Sequence, residues 1–418
     1  GCPNCGGTLE LKAPDKTERV TCPYCNSLLD VNQGNLRFLH ALDDSPADNF
    51  VLEIGSSCSF KSFADGIELE IIGAMARSVV FDGVKYFWHE YLLYNPKIGF
   101  RWLVHSDNHW NFVDSVNLAD VEVSQSLIGA QTSVKFNGRS YRIFQDSPAM
   151  VEYVKGEFYW RVEVGDKVRA ADFVSPPFML SQEVTEKEAN WSLGTYLPIK
   201  EVEKAFGIKG LPKPWNVAPN QPFPHTGLIK YGFLLLGVLL VTSIFLLPFT
   251  GFGKTELNQV INFNQLERPL APRIVESQSF ELKANRNVEI SAAVDVRNSW
   301  AEYSIDLINE KNSDIESVLI PVEYYYGVTG GESWSEGGKT NSATISAVPA
   351  GKYKLRIEGV WKDWNQPMAM RVKVTQSVTR GVNFWFAFIL LAIVPIITLF
   401  RKFAFESRRW SESMFGGS

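Results

Sequence analysis

Much of this chain alternates apolar and polar positions with period two, and two stretches break that rhythm by dropping charge altogether. YGFLLLGVLLVTSIFLLPFTGFG runs from Tyr231 to Gly253 between Lys230 and Lys254, and GVNFWFAFILLAIVPIITLF from Gly381 to Phe400 between Arg380 and Arg401. A helix rises ~1.5 Å per residue, so about 20 apolar residues cross a ~30 Å hydrocarbon layer. The pattern predicts two transmembrane helices, over 228–253 and 381–400. Both runs are internal and lack a small-residue cleavage site, unlike a signal peptide. Neither contains an intramembrane charge that would mark an ion path.

Strand signals fill the remainder. Between the two helices, SFELKANRNVEISAAVDV, AEYSIDLIN, SVLIPVEYYYGV, ATISAVPAGKYKLRIEGVW and MAMRVKVTQSV are short alternating runs parted by turn residues. They predict an antiparallel β-sandwich over 254–380. Pro349, Gly351, Tyr353 and Leu355 are similar to the P-x-G-x-Y-x-L edge of such modules. Trp334, Trp361 and Trp364 lie in its Gly- and Trp-rich loops, as stacking faces for a sugar or partner, as packing at the membrane surface or as packing within the domain. Residues 48–207 alternate too, and here motifs recur. F-x-G-x-x-Y occurs at Phe81, Gly83, Tyr86 and at Phe136, Gly138, Tyr141. F-x-W-x-V occurs at Phe100, Trp102, Val104 and at Phe158, Trp160, Val162, and D-x-V at Asp114/Val116 and Asp172/Val174. This predicts a duplicated β-unit of roughly 55 residues forming one barrel or sandwich. IKEVEKAFGI reads as a short amphipathic helix, and the five prolines between Leu211 and Gly227 as a semi-rigid linker, 208–227.

Several residues of this segment carry a resemblance. Trp88, Glu90, Tyr91, Leu92 and Leu93, and later Gly156, Trp160, Gly165, Asp172, Pro176, Pro177, Glu183, Trp191, Gly194, Tyr196 and Phe206, resemble the pattern of the bacterial domain-of-unknown-function family 4178. The likeness covers residues 50–207. It implies a β-rich domain of no established activity, often with an N-terminal ribbon. It also implies a setting among polyamine-type enzymes, small membrane proteins and phage-shock or ESCRT-III-like membrane remodellers.

The head of the chain is a different kind of signal. Cys2, Cys5, Cys22 and Cys25 form two C-x2-C pairs, a spacing that wraps four thiolates around one tetrahedral ion. About thirty residues bury too little core alone, so a structural zinc is expected to fold a ribbon over 1–34. With three basic residues against four acidic through Gly34, the ribbon offers no phosphate-binding face, which argues against nucleic acid. Cys58 reads as a small buried residue. His89, His105 and His109 sit near Glu90, Asp107 and Asp114, but a strand sends His89 and Glu90 to opposite faces, and HSDNHW reads as a solvated hairpin end. Glu90 and Glu183, if buried, need partners. No nucleophile elbow, phosphate loop or dinucleotide fingerprint occurs, so no catalytic residue is assigned.

The fold class is thus mainly β: a zinc ribbon, a duplicated β-barrel or sandwich domain in the cytoplasm, and two transmembrane helices flanking an extracytoplasmic β-sandwich. Orientation follows from Lys200, Lys204, Lys209, Lys213 and Lys230 before the first helix and Arg401, Lys402, Arg408 and Arg409 in the basic tail, 401–418. Arg371, Lys373 and Arg380 weaken that contrast, but all five cysteines precede residue 59 and none lies between the helices. Both termini are therefore expected in the cytoplasm of a bacterial inner membrane, the tail lying along the inner leaflet. The expected function is a non-enzymatic scaffold or sensor in a membrane-stress or membrane-maintenance assembly, joined to itself or to small membrane or envelope proteins. Two alternatives stand beside it: an enzyme of polyamine-type metabolism in the β-domain, and an accessory subunit of a channel or transporter.

Overall fold

The computed structural model describes residues 1–43, 45, 47–81, 83–123, 133–185, 188–249, 253–379 and 381–415. Arg380, residues 250–252 at the end of the first apolar run and the terminal 416–418 lie outside them. The chain forms two compact units, Gly1–Thr226 with Ile397–Ser418, and Gly227–Ile396.

The first unit begins with three short strands, β1 (Arg19–Thr21), β2 (Ser27–Asn32) and β3 (Asn35–Ala41), followed by β4 (Ser57–Cys58). A first meander then runs through β5 (Leu69–Phe81), β6 (Val84–Asn95), β7 (Gly99–Ser106) and β8 (His109–Val116). After β9 (Val121–Val123) and β10 (Ser133–Phe136), a second meander follows: β11 (Arg139–Phe158), β12 (Lys167–Ser175), β13 (Phe178–Val184) and β14 (Ala189–Leu197). β8 pairs with β14 and β5 with β11, all antiparallel, so eight strands close into a barrel without free edges. The closing seam needs glycine: Gly73 and Gly156 are register partners. A Cβ on Gly73 would lie 2.2 Å from the Glu157 carbonyl oxygen, and Gly156 adopts φ +84°.

Two four-stranded meanders make the barrel, yet the motif repeat does not mark equivalent strands. Phe100, Trp102 and Val104 lie in β7, whereas Phe158 closes β11 and Trp160 and Val162 follow it. Asp114 sits in β8 and Asp172 in β12. Only the first copy of F-x-W-x-V lies along a strand, and the second straddles the end of β11, so the match does not report strand register.

A layer of apolar side chains lies outside one wall: Leu52, Phe60, Leu69, Tyr91, Trp110 and Phe112, closed by Val202 of α1 (Ile199–Phe206). Cys58 is buried in this layer, and burial pushes its thiol up to about 12, as expected of an inert core residue. The proline segment does not hang free. Val217, Ala218 and Asn220 are buried, and the Asn220 amide donates to Asn111 Oδ1 at 2.7 Å and the Pro177 carbonyl at 3.1 Å.

In the second unit, α2 (Thr226–Phe249) leads to β15 (Lys254–Phe263), β16 (Arg273–Glu276), β17 (Phe280–Leu282), β18 (Arg286–Val294), β19 (Ser299–Asn309), β20 (Ile315–Thr329), β21 (Glu332–Gly338), β22 (Thr340–Val348), β23 (Gly351–Trp361) and β24 (Met368–Gln376), then α3 (Val382–Ser411). Its strands form a four-stranded sheet, β15-β24-β18-β22, and a six-stranded sheet, β16-β23-β19-β20-β21 with β17 also on β23. Tyr303, Ile305, Ile357, Ile290, Val372 and Trp361 fill the core between them. β23, which carries the Pro349–Leu355 motif, runs inside its sheet rather than along its edge. Only 6 % of the apolar window of α2 and 11 % of that of α3 is buried, far less than a core helix would bury. The two helices meet where Gly232 faces Pro395; a Cβ on Gly232 would lie 2.7 Å from the proline ring. Beyond Phe400, α3 continues for eleven residues, so the expected tail is mostly helix and belongs to the first unit.

Candidate functional site

At the head of the first unit, the two C-x2-C turns bring four thiols together. Positive φ at Gly6 (76°) and Asn26 (53°) turns the backbone back after each pair. All four Sγ atoms lie within 4.8 Å of one another, with Cys2–Cys25 and Cys5–Cys22 at 3.7 Å. A tetrahedron with bonds of ~2.3 Å has edges of about 3.8 Å, so the quartet fits one thiolate-loving ion. The head is sewn to the barrel: β1 pairs with β11, and the Glu157 carboxylate accepts from the Lys12 and Ala13 backbone N–H groups (2.7 and 3.3 Å) and from Thr17 Oγ1 (2.9 Å).

A second site lies inside the barrel. Alternation along β5, β6, β12 and β13 turns Arg77, Trp88, Glu90, Asp172, Ser181 and Glu183 inward. Arg77 Nη1 donates to Glu90 Oε1 at 3.2 Å and to Glu183 Oε1 at 2.5 Å. β5 and β13 are not neighbours in the sheet, so the second bond crosses the interior. Trp88 Nε1 donates to Glu90 at 2.7 Å, and the guanidinium lies 5.6 Å from the Trp88 ring centre. Ser181 Oγ donates to Asp172 at 2.6 Å. Side-chain exposure grades from 5 % at Arg77 through 13 % at Glu90 to 40 % at Glu183, placing Glu183 at a mouth.

Burial sets the electrostatics here. It raises the Glu90 carboxyl above its ordinary value, against the pull of Arg77 and with the charge of Glu183 adding to the rise. Asp172 is pushed up to about 6 by burial; the bond from Ser181 opposes this and Glu183 adds to it. Desolvation alone would lower Arg77, but the two carboxylates outweigh it and hold the guanidinium charged. Glu90, Glu183 and Asp172 thus set three carboxyls beside one guanidinium in the interior.

The sequence singled out Glu90 and Glu183, and a shared cation joins them. It missed Arg77, whose signal is a lone arginine in the apolar run LEIIGAMARSVVF. The histidines do not converge. His89 Nε2 lies 3.1 Å from the Ala47 carbonyl, on the face of β6 opposite to Glu90. His105 stacks on Trp110 (4.2 Å, 24°), and burial pushes it down to about 4, neutral at physiological pH. His109 contacts the Tyr196 hydroxyl at 3.0 Å and the Trp215 carbonyl at 2.9 Å. HSDNHW is therefore no solvated hairpin end: His105 and His109 are 7 % and 3 % exposed, the latter because the proline segment covers it. Asp114 pairs with Arg101, not with a histidine. In the sandwich, Trp361 is a core residue, Trp364 packs against that core, and of the three only Trp334 is exposed.

One basic residue of the tail is also a surprise. Arg409 is 1 % exposed: its guanidinium donates to the carbonyls of Ala218, Pro219 and Gln221 and pairs with Glu406 at 2.9 Å. It is a clasp on the proline segment and is unavailable to a leaflet.

These features define a class, a mainly β protein with a four-thiol head, an ionic barrel interior and two helices of membrane length. Residues 64–199 match the family described as Domain of unknown function (DUF4178), and they contain all eight strands of the barrel. No curated protein matches the chain. Among solved structures, it is similar to the CBM22-1–GH10 modules of Clostridium thermocellum xylanase 10B (14 % identity, 30 % of this chain and 26 % of that one, TM-score 0.16). Infectious bursal disease virus Gt strain gives 9 % identity over 85 % and 65 %, TM-score 0.18. The CBM22 tandem of Paenibacillus barcinonensis Xyn10C gives 11 % over 78 % and 98 %, TM-score 0.17. This chain spans about a quarter of the xylanase chain and under two thirds of the viral one. At such TM-scores these likenesses carry no argument about fold or activity.

Proposed function

We propose that the chain is a non-enzymatic membrane scaffold and sensor, its zinc-stapled ribbon and barrel on the cytoplasmic side of a bacterial inner membrane and its sandwich on the other. The observation that carries this is the Arg409 clasp. The end of α3 grips the carbonyls of Ala218, Pro219 and Gln221, and between them Asn220 reaches Asn111 on the barrel wall. A shift of α3 thus bears on the strap that covers one end of the barrel, a mechanical link suited to passing a state of the membrane or of the sandwich to soluble partners. Zinc suits four thiolates with no position left for water. The full chain, purified in mild detergent from its host, is expected to come as a stoichiometric assembly with itself or a second protein, and Arg409→Ala to weaken it. A monomer without partners in both preparations would overturn the scaffold reading.

A further inference from the structure

The clasp divides the basic residues of the tail by role and leaves two of them facing a cavity. Arg401 and Arg408 are seven residues apart on α3, so two helical turns put them on one face, with Ala404 and Phe405 between. Phe223, Pro224 and His225 lie against that face; the Phe223 and Phe405 rings are 5.4 Å apart at 69°, and those of Phe223 and His225 5.8 Å apart at 84°. These seven residues line a cavity of about 160 Å³. The lining combines apolar side chains with two guanidiniums and an imidazole, and among the described residues no carboxylate lines it. The acid on the same helical stretch, Glu406, is taken by Arg409. Among the described residues neither Arg401 nor Arg408 has a carboxylate partner; the Arg408 Nε–H reaches only the Ala404 carbonyl, at 3.5 Å.

Two unpaired guanidinium forks beside aromatic and aliphatic side chains suit a phosphate bonded to a less polar group, since each fork can take two phosphate oxygens. The cavity also begins one residue past the apolar run that ends at Phe400, the level at which headgroups meet a spanning helix. We propose that Arg401, Arg408 and His225 bind the phosphate of an anionic phospholipid headgroup. Lys402 does not line the cavity and Arg409 is committed to the strap, so two of the four basic residues carry the selectivity.

The inference rests on α3 crossing a bilayer, and the test separates the two. Full-length protein is reconstituted in nanodiscs of phosphatidylcholine with a minor share of phosphatidylglycerol, then extracted in mild detergent, and bound lipid is counted by native mass spectrometry. About one phosphatidylglycerol should stay with the wild type and with Lys402→Gln. Occupancy should fall roughly tenfold in Arg401→Gln/Arg408→Gln, the loss expected for charge-assisted bonds. If the double variant does not fold, each single variant should show a several-fold loss. Equal retention by wild type and arginine variants refutes the cavity as the site. Displacement of the lipid by millimolar inorganic phosphate refutes a lipid in favour of a free anion. A chain that stays in solution after detergent removal refutes the bilayer crossing itself.

Discussion

A buried guanidinium is tolerated only when its charge is matched, and Arg77 is matched by carboxylates from two different strands. Removing the cation should cost far more than neutralising one acid. Arg77→Met is expected to destabilise the protein by about 3–5 kcal/mol, because Glu90 is left buried beside Glu183 without compensation. Glu90→Gln should cost about 1–2 kcal/mol, since burial already favours the neutral carboxyl. Thermal unfolding of the two variants against wild type reads the ratio; equal losses would mean that Arg77 acts by packing alone. Asp172 makes a pH prediction of definite sign. Its folded value of about 6 lies above the unfolded 3.8, so its contribution is present below pH ~4 and is lost as pH rises towards 6. Relative to Asp172→Asn, wild type should lose about 2–3 kcal/mol between pH ~4 and ~6 and no more above it. A constant difference across that range would place Asp172 in contact with water rather than in the dry interior.

At the scale of elements, the head and the barrel are one sheet through β1 and β11, yet they are held by different means. The barrel closes its own edges and has apolar packing on its outer wall. β1 is three residues long, and behind it stands a small cluster of Cys2, Val20, Cys22, Leu29 and Val31. On the proposed zinc staple, adding a chelator should therefore raise hydrogen exchange through residues 1–34 and at Glu157 while β5 to β8 stay protected; no change anywhere would mean that the thiols hold no ion. The same contrast explains what the sequence could tell. Cys2 to Cys25 and the two charge-free helices were legible because ligand spacing and hydrocarbon thickness act on contiguous chain. Arg77–Glu183 was not, since it joins residues 106 apart and exists only once β5 meets β11 and the barrel is shut. The proline segment looked like a linker because composition reports stiffness, whereas its burial depends on Asn111 and Arg409, which lie 109 residues before Asn220 and 191 after Ala218. The F-x-W-x-V repeat carries no register either, since its first copy lies along β7 and its second runs past the end of β11, and strand order is decided by pairing between distant residues.

For the whole molecule, the decisive constraint is where the chain returns. It leaves the first unit at Thr226, enters α2, and comes back along α3 to the same unit at Ile397. A path that ends in the unit it left must cross any intervening membrane an even number of times. If α2 and α3 each cross once, β15 to β24 lie on the side opposite both termini. The proposed cytoplasmic placement of the termini rests on the lysines before α2, the arginines after α3 and the confinement of all five cysteines to the first 58 residues, against Arg371, Lys373 and Arg380. An alkaline phosphatase fused near residue 320 should therefore be active outside the membrane, and one fused after residue 415 inactive. Trypsin added to spheroplasts should cut the sandwich and spare the barrel. Activity from both fusions would require a single crossing and break the union of Arg409 with the strap. Inactivity of both would leave the helices uncrossed, and with them the proposed passage of a signal from the sandwich through α3 to the barrel would fall.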